Sequence, residues 1–435
     1  MLIQSYKMKN YVYFLTLSLF VFSACTKKIV ETFPTEPEGM KSAESLDVLL
    51  QEQANQLSKE FIITDGHIDL PYRLKVQNFK LTKEFIGIPL ETEKGDFDHK
   101  RAKEGGLDAP FMSIYIPADT QKDGTSKILA DSLIDMVTGI IDAHPDHFGY
   151  GKSVAEVRAN FDKGIVSLPM GMENGAPMMD DLDNVDYFHN RGIRYITLTH
   201  SKVNQICDSS YDTIRTWNGL SPFGEKVVER MNQVGIMVDI SHVSDSTFYQ
   251  VMELSKVPCI ASHSSVRKFV PGFERNMSDD MLRVLGEKDG VIQINFGSTF
   301  LDGDLQKERE AYHGQIRDWL KATHNLTPFD PEAKELMDAY KMEHPKQFYS
   351  DVEKVVDHID HVVKIAGIDH VGFGSDYDGV GDTLPTGLKD VASYPNLIYV
   401  LLRRGYSKED IEKICYKNVF RVWQAAEDYA SNYKG

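Results

Sequence analysis

Short apolar runs alternate with segments of helical periodicity from Phe61 to near the end of the chain. Several of these runs are apolar at every position and not only at alternate positions, which is typical of parallel strands covered on both faces. The runs are residues 61–70, 111–117, 164–172, 193–201, 236–243, 257–264, 290–297 and 370–374. They predict the strands of a sheet that is buried on both sides.

The segments between the runs carry apolar residues three and four positions apart, which predicts amphipathic helices. In residues 352–363 this apolar face is flanked by Asp357, His358, Asp360 and His361, which we interpret as a solvated flank and not as a metal site. Strands that alternate with helices predict an α/β fold, a (β/α)₈ TIM barrel. Residues 302–350 exceed a simple crossover, so we expect a partly helical insertion beside the active-site mouth.

The first residues have the pattern of a lipoprotein signal peptide, which we assign to residues 1–24. Lys7 and Lys9 precede an apolar run, 11–22, that is shorter than the ~20 residues of a membrane span. Cys25 follows at once, which predicts a lipidated cysteine; a plain secretory signal followed by an incidental cysteine is the alternative. Residues 25–41 are rich in Pro, Glu and Thr and form a tether, and residues 42–430 form the folded domain.

Composition narrows the choice of partners. The chain has 435 residues, 42% of them hydrophobic, and a net charge of −17. This charge argues against nucleic acid and anionic membrane surfaces as partners. Cys207, Cys259 and Cys415 lack CxxC spacing and cannot all pair with one another, so a disulfide scaffold is not predicted. The chain has no Gly-x-Ser-x-Gly motif, which makes a serine hydrolase unexpected.

Residues of metal-ligand type stand at the ends of the predicted strands. His67 and Asp69 are two positions apart and therefore share one face of a strand. The other candidates each end a later run and are Glu173, His200, His242, His263 and Asp376. Catalytic groups of such barrels come from the carboxyl ends of the strands. Unpaired, these groups would each cost several kcal/mol to bury, and metal cations remove that conflict.

The set is larger than one four-coordinate zinc ion needs. Two metal ions about 3.5–4 Å apart would use it better, with Glu173 as the bridge. A carboxylate has two oxygens, whereas an imidazole cannot span two ions in the same way. The strand ends therefore predict a two-metal hydrolytic site.

These motifs, in this order, resemble the membrane dipeptidase (renal dipeptidase) family, a branch of the metal-dependent amidohydrolase-type barrels. The matching motifs are Asp65-Gly-His-Ile-Asp-Leu-Pro71, Gly171-Met-Glu173, Thr197-Leu-Thr-His200-Ser201, Asp239-Ile-Ser-His242, Ser262-His263-Ser-Ser265, Arg275-Asn276 and Gly372-Phe-Gly-Ser-Asp376. The resemblance covers residues 60–425. It implies that His67, Asp69 and Glu173 hold one Zn²⁺ and that Glu173, His242 and His263 hold a second.

The resemblance also implies roles for three further residues. His200 would contact the substrate carbonyl and its tetrahedral intermediate. Arg275 would bind the terminal carboxylate of the substrate through its planar fork. Asp376 would exchange a proton between the attacking hydroxide and the leaving amine. The implied substrates are dipeptides, often with a D-residue on the C-terminal side, and the family implies a possible homodimer.

One departure from the family concerns substrate preference: Asn174, Gly175 and Ala176 stand where the mammalian enzymes have Gly-Gly-His. The alternative function is another metal-dependent hydrolysis on the same barrel, such as lactone, β-lactam or N-acyl-amino-acid cleavage. Arg275 favours a substrate with a free carboxylate. A less expected alternative is a surface lipoprotein that binds peptides without cleaving them. We expect the protein in the cell envelope, lipid-anchored and facing the periplasm or the exterior.

Overall fold

The structure, a computed structural model, describes residues 43–77, 89–328 and 330–434. The predicted signal peptide, Cys25 and the tether lie outside the described residues. The chain divides into two units, 1–45 and 46–435, and the architecture below is that of the second. Within the described ranges, no helix is both long enough and apolar enough to cross a membrane.

The centre of the second unit is an eight-stranded parallel sheet in which neighbours in sequence are neighbours in space. Its strands are β1 (Ile63–Ile68), β2 (Leu107–Tyr115), β3 (Met170–Glu173), β4 (Ile193–Thr197), β5 (Met237–Asp239), β6 (Ile260–Ser264), β7 (Val291–Ile294) and β8 (Val371–Phe373). The edge strands meet just beyond β8, where Ile68 bridges Tyr377. The amide of Asp376 donates to the carbonyl of His67 at 3.1 Å. The predicted (β/α)₈ barrel is confirmed.

Helices precede the first strand, fill the connections between strands and follow the last one. They are Ala43–Glu60, Leu70–Val76, His99–Gly105, Thr120–Asp123, Ser126–Ala143, Val154–Phe161, Asp183–Asn190, Pro222–Val234, Asp245–Leu254, Asp279–Glu287, Ser298–Leu301, Gly303–His324, Ala333–Glu343, Val352–Ile365, Tyr394–Arg403, Lys408–Glu412 and Asn418–Asn432. Several begin at a serine whose hydroxyl accepts an amide hydrogen of the first turn, as at Ser221, Ser244 and Ser278. Ser407 and Asp410 form a capping box.

The apolar run 164–172 forms two strands, not the one strand we predicted. Val166–Leu168 pairs with Phe148–Tyr150 in a separate two-stranded sheet, and β3 begins at Met170. Pro169 separates the two strands because it has no amide hydrogen to donate to a ladder. Its carbonyl accepts instead from the amide of Met112 in β2 at 2.7 Å. One apolar run therefore serves two sheets.

The prediction of a solvated flank on the helix Val352–Ile365 was wrong for its two histidines, whereas Asp357 and Asp360 are partly exposed. His358 and His361 are buried. The Val266 amide donates to His358 Nδ1 at 3.0 Å, and His358 Nε2 donates to the Leu301 carbonyl at 3.0 Å. Burial lowers the pKa of His358 to about 3. This imidazole is therefore a neutral brace between the helix and two loops.

Residues 302–350 contain the helices Gly303–His324 and Ala333–Glu343. Their buried apolar side chains form a cluster apart from the barrel core, made of Tyr312, Ile316, Leu320, Ala333 and Phe348. We call this segment the insertion. The Tyr312 hydroxyl donates to the carbonyl of His344 at 2.7 Å and ties the end of the second helix to the first.

Candidate metal centre and active site

The carboxyl ends of six barrel strands bring all the predicted ligand-type residues to one end of the barrel. They are His67 on β1 with Asp69 just after it, Glu173 on β3, His200 after β4, His242 after β5, His263 on β6 and Asp376 after β8. Asp69 stands at the N-cap of the helix Leu70–Val76, but its carboxylate makes no capping hydrogen bond. That carboxylate faces the barrel axis and His67 instead.

The turns that follow the strands have unusual backbone geometry. Asn174, His242, Asp376 and Asp378 all have positive φ, between 64° and 83°. Positive φ is uncommon for residues other than glycine and tends to occur at functional sites. At His242 and Asp376, the turn carries the side chain back over the barrel mouth, where both line the same cavity.

One oxygen of Glu173 faces the ligands from β1. Its Oε2 is 3.3 Å from His67 Nε2, which is 3.5 Å from Asp69 Oδ2. His67 Nε2 and Asp69 Oδ1 are buried and have no hydrogen-bond partner. Buried polar atoms are almost always paired. A bare imidazole nitrogen beside two carboxylates is a donor set that suits a divalent cation.

The other oxygen of Glu173 faces three imidazoles. Its Oε1 is 3.0 Å from His242 Nε2, 3.4 Å from His263 Nε2 and 3.6 Å from His200 Nε2. The Nε2 atoms of His242 and His263 are 2.8 Å apart. Burial opposes ionisation of Glu173, but the surrounding imidazoles outweigh it and hold the pKa of this carboxyl well below its usual range. Glu173 is therefore an anion with a different set of nitrogens at each oxygen.

A tyrosine fixes the orientation of His67. The hydroxyl of Tyr195 donates to the carbonyl of Gly66 at 3.0 Å and lies 2.8 Å from His67 Nδ1. Because its one hydrogen goes to the carbonyl, its oxygen accepts from the imidazole. His67 then carries its hydrogen on Nδ1 and presents a bare Nε2 to the cluster, as metal-binding histidines do.

A serine and an aspartate fix His263 in the same way. The Ser262 hydroxyl donates to Asp239 Oδ2 at 2.6 Å and accepts from His263 Nδ1 at 2.8 Å. Asp239 also accepts from the amides of Ser241 and Ser262. This leaves His263 Nε2 bare and directed at Glu173. Two imidazoles from different strands are thus oriented as ligands by buried hydrogen bonds that a metal-free core would not need.

Asp376 is held by an amide and by the closure of the barrel. Asn295 Nδ2 donates to its Oδ2 at 2.8 Å. Next to it, the amide of Ser375 donates to the buried carboxylate of Asp65 at 3.0 Å, and the Tyr394 hydroxyl donates to the same carboxylate. Burial raises the pKa of Asp376 to about 7. A carboxyl group with a pKa in this range is suited to accept and return a proton.

A cavity of about 760 Å³ opens over the cluster. Its lining includes Asp69, Glu173, His200, His242, Asp376, the aromatic residues Tyr72, Tyr115, Tyr211 and Phe300, and Arg309 from the insertion. This volume is in the range of small-molecule sites. Arg275 is absent from the lining formed by the described residues. It is buried, and its Nη atoms donate to Ser264 Oγ and to the His263 carbonyl, each at 2.6 Å.

Sequence reasoning assigned no role to four residues of this site: Tyr195, Ser262, Asn295 and Arg309. Asn295 directly follows β7 and could have been found by the strand-end rule. The indication for Tyr195 is weaker and comes from the neighbouring strand. Gly171 packs against the tyrosine ring, and a Cβ at this position would lie 1.9 Å from it. The insertion was expected beside the active-site mouth, but nothing in the sequence near Arg309 marks it as the residue that lines the cavity.

The fold and the site define a class. A parallel (β/α)₈ barrel whose strand ends gather imidazoles around a shared carboxylate is a metal-dependent hydrolase. The family model for membrane dipeptidase (Peptidase family M19) matches residues 51–435, so the chain belongs to this family. The predicted resemblance is confirmed, and the protein is a metal-dependent dipeptidase.

Relatives and solved structures agree with this membership. An uncharacterized dipeptidase of Schizosaccharomyces pombe is 30% identical over 390 residues, covering 87% of this chain and 84% of the relative. The probable dipeptidase PvdM from Pseudomonas aeruginosa is 27% identical, with a TM-score of 0.73 over 88% of this chain and 100% of that one. A metallopeptidase from Rhodobacter sphaeroides, liganded with a phosphinate mimic of L-Ala-D-Ala, is 25% identical, with a TM-score of 0.69 over 84% and 99% of the two chains.

Proposed function

We propose that this protein is a binuclear zinc dipeptidase that tolerates a D-residue on the C-terminal side. The observation that carries the proposal is the carboxylate of Glu173, whose two oxygens face different sets of ligand atoms. The mixture of imidazole nitrogens and carboxylate oxygens is typical of zinc. The Rhodobacter sphaeroides metallopeptidase with its L-Ala-D-Ala mimic supports the D-residue.

His67, Asp69 and Glu173 would hold one ion, and Glu173, His242 and His263 the other. All the distances among their facing atoms given above are 3.5 Å or less. When bound, the two ions supply Lewis acidity that polarises the scissile carbonyl and lowers the pKa of water. The protein's own side chains must then orient the dipeptide and move the proton.

His200 and Asp376 perform these tasks. His200 lines the cavity, and its side chain is 19% exposed, which leaves it accessible to a substrate. It donates a hydrogen bond to the carbonyl oxygen as negative charge develops there. Asp376 takes the proton from the attacking water and returns it to the leaving amine. Asn295 holds the carboxylate so that its other oxygen faces the cavity.

Arg275 would recognise the terminal carboxylate of the dipeptide, as the family resemblance implies, although it is buried outside the described lining of the cavity and its planar fork is already hydrogen-bonded. Its Nε is buried and has no hydrogen-bond partner, whereas the two Nη atoms are engaged. A guanidinium held so firmly suits a group that every dipeptide carries. This preference for a free carboxylate separates a dipeptidase from an enzyme for lactones or for amides without a carboxylate.

Anchoring and location belong to the same proposal. Lipidation of Cys25 would hold the enzyme on the cell envelope, facing the periplasm or the exterior, and a homodimer is its assembly. The support for the anchor is the pattern of residues 1–25 in the sequence, and the homodimer rests on the family resemblance alone.

The deciding experiment uses protein from residue 42 onward, freed of metal by chelation and reloaded with zinc. We expect two zinc ions per chain and hydrolysis of L-Ala-L-Ala and L-Ala-D-Ala that chelation abolishes and zinc restores. One bound ion at saturation would reject the binuclear centre. Hydrolysis of a β-lactam or lactone without dipeptide cleavage would favour the alternative, another metal-dependent hydrolase. Binding of dipeptides without cleavage would favour a peptide-binding lipoprotein.

A further inference from the structure

The insertion places one cation at the cavity over the metal centre. Arg309 lies in the helix Gly303–His324 and is the single Lys or Arg among the described residues that line this cavity. It is half-buried. The barrel itself contributes carboxylates and imidazoles to the lining, so the positive charge comes from an element outside the barrel.

Arg309 has no carboxylate of its own to neutralise it. The positions three and four residues away on its helix are Leu305, Gln306, Tyr312 and His313, none of them acidic. In contrast, Lys307 pairs with Asp304 at 3.2 Å on the same helix. The guanidinium of Arg309 forms no ion pair within 4.0 Å with any carboxylate in the described part of the chain. An unpaired cation in a cavity is available to a ligand.

The carboxylates of the lining are already engaged. Asp378 accepts from the amide of Asp96 at 2.7 Å and lies 3.3 Å from Arg73 Nε. Asp69 and Glu173 face the imidazoles of the metal centre, as described above. Because these carboxylates already have partners, the guanidinium of Arg309 is the charged group that remains available to a substrate near the mouth of the cavity.

The two arginines near the cavity differ in how they are held. Arg275 is buried and fixed by two hydrogen bonds at the end of β6, which suits a constant part of the substrate. Arg309 is half-buried, lies on a helix outside the barrel and has no ion-pair partner among the described residues. Such a residue suits the part of the substrate that varies from one substrate to another. In a dipeptide the variable part is the side chain.

We propose that Arg309 selects dipeptides with an acidic side chain by binding that carboxylate at the mouth of the cavity. This inference rests on the proposed dipeptidase function and names its substrate class. The overall charge of −17 disfavours anionic ligands at long range. A single unpaired guanidinium at the mouth reverses this effect locally, because it offers a charge-assisted contact.

The test compares isosteric acid and amide substrates on the zinc-loaded enzyme. The pairs are L-Ala-L-Glu against L-Ala-L-Gln and L-Glu-L-Ala against L-Gln-L-Ala, and the quantity is the acid-to-amide ratio of kcat/KM. In the wild type we expect a ratio of about ten to a hundred in at least one pair, the effect of one charge-assisted hydrogen bond. Arg309→Gln should bring that ratio close to one, and Arg309→Lys should retain part of it.

The control is Arg317→Gln, an exposed arginine of the same helix that does not line the cavity. This variant should keep the wild-type ratio. A wild-type ratio near one in both pairs, or a high ratio that survives Arg309→Gln, overturns the proposal. Equal losses on acid and amide substrates also overturn it, because Arg309 would then bind a part common to all dipeptides.

The design separates this inference from the proposed function. If the wild type cleaves all four dipeptides equally well, only the role of Arg309 fails. If it cleaves none of them, the dipeptidase function fails, and calorimetric binding of the same four dipeptides to wild type and Arg309→Gln still measures the preference. Tighter binding of the acidic dipeptide by the wild type, lost in Arg309→Gln, would support the proposed selectivity. Equal binding of the acid and the amide would reject it.

Discussion

The metal centre and the insertion are built in opposite ways. The ligand-type residues of the metal centre and its surroundings come from the ends of six different strands, and nearly all are buried. The insertion is one continuous segment that packs its own small apolar cluster. The centre depends on closure of the whole barrel, whereas the insertion depends on contacts between two neighbouring helices. Chemistry and substrate choice are therefore carried by parts of the molecule that can change separately.

The energetic difference follows from burial. The centre concentrates carboxylates and imidazoles in a buried site, which is costly unless cations are present, so binding of metal should also stabilise the fold. The insertion gains its stability from apolar contacts and has no such conflict. Mutations in the centre should thus change metal content and turnover, while mutations in the insertion should change local stability and selectivity.

The largest effect is expected at the residue shared by both ligand sets. Glu173→Gln should remove most of the bound zinc and lower turnover by about 10⁴-fold or more, because several kcal/mol of transition-state stabilisation leave with the ions. Metal analysis and dipeptide kinetics measure both. Glu308→Gln, the same change at an exposed position of the insertion, is the control. Two zinc ions and full activity in Glu173→Gln would show that the bridge is misassigned.

Removal of the proton carrier should affect chemistry without affecting metal content. Asp376→Asn keeps the shape of the side chain but cannot accept a proton, so kcat should fall about a hundred- to a thousandfold. Zinc content at saturation should stay at the wild-type value. A parallel loss of zinc would instead make Asp376 a metal ligand, in keeping with its place beside His67 and Asp69.

A pair of tyrosine variants compares the two regions directly. Tyr195→Phe removes the acceptor for His67 Nδ1 and should weaken zinc affinity by about ten- to a hundredfold. Tyr312→Phe makes the same change in the insertion, where a less deeply buried hydroxyl donates to the carbonyl of His344. It should leave zinc affinity unchanged. Competition with a fluorescent chelator gives both affinities, and equal values in the two variants would contradict the orienting role of Tyr195.

The smallest effect on turnover is expected in the core of the insertion. Leu320→Ala leaves a cavity in the small cluster and should destabilise it by about 2–5 kcal/mol. Amide hydrogen exchange should rise in Gly303–His324 and Ala333–Glu343, while the barrel strands stay protected. Zinc content should not change. A matching loss of zinc or of protection in the barrel would show that the two regions fold as one unit.

Much of the site could be predicted from local pattern, because in a parallel barrel every strand ends at the same rim. His67, Glu173 and His242 are recognisable as ends of apolar runs, and the structure brings them together. The orienting residues were not recognisable, because Tyr195 reaches His67 from a strand far away in sequence and Ser262 is itself held by Asp239 on the neighbouring strand. No local spacing encodes which hydroxyl will meet which imidazole.

The sequence by itself determined the order of strands and helices, the barrel and the ligand-type residues at its rim. These follow from hydrophobic periodicity and from strand ends, both of which are local. Only the tertiary structure decided that Pro169 splits one apolar run between two sheets and that His358 is buried as a brace. It also decided that Arg309 reaches the cavity. The physical reason is that partners, burial and pKa values depend on contacts between distant segments, and those exist only after the chain has folded.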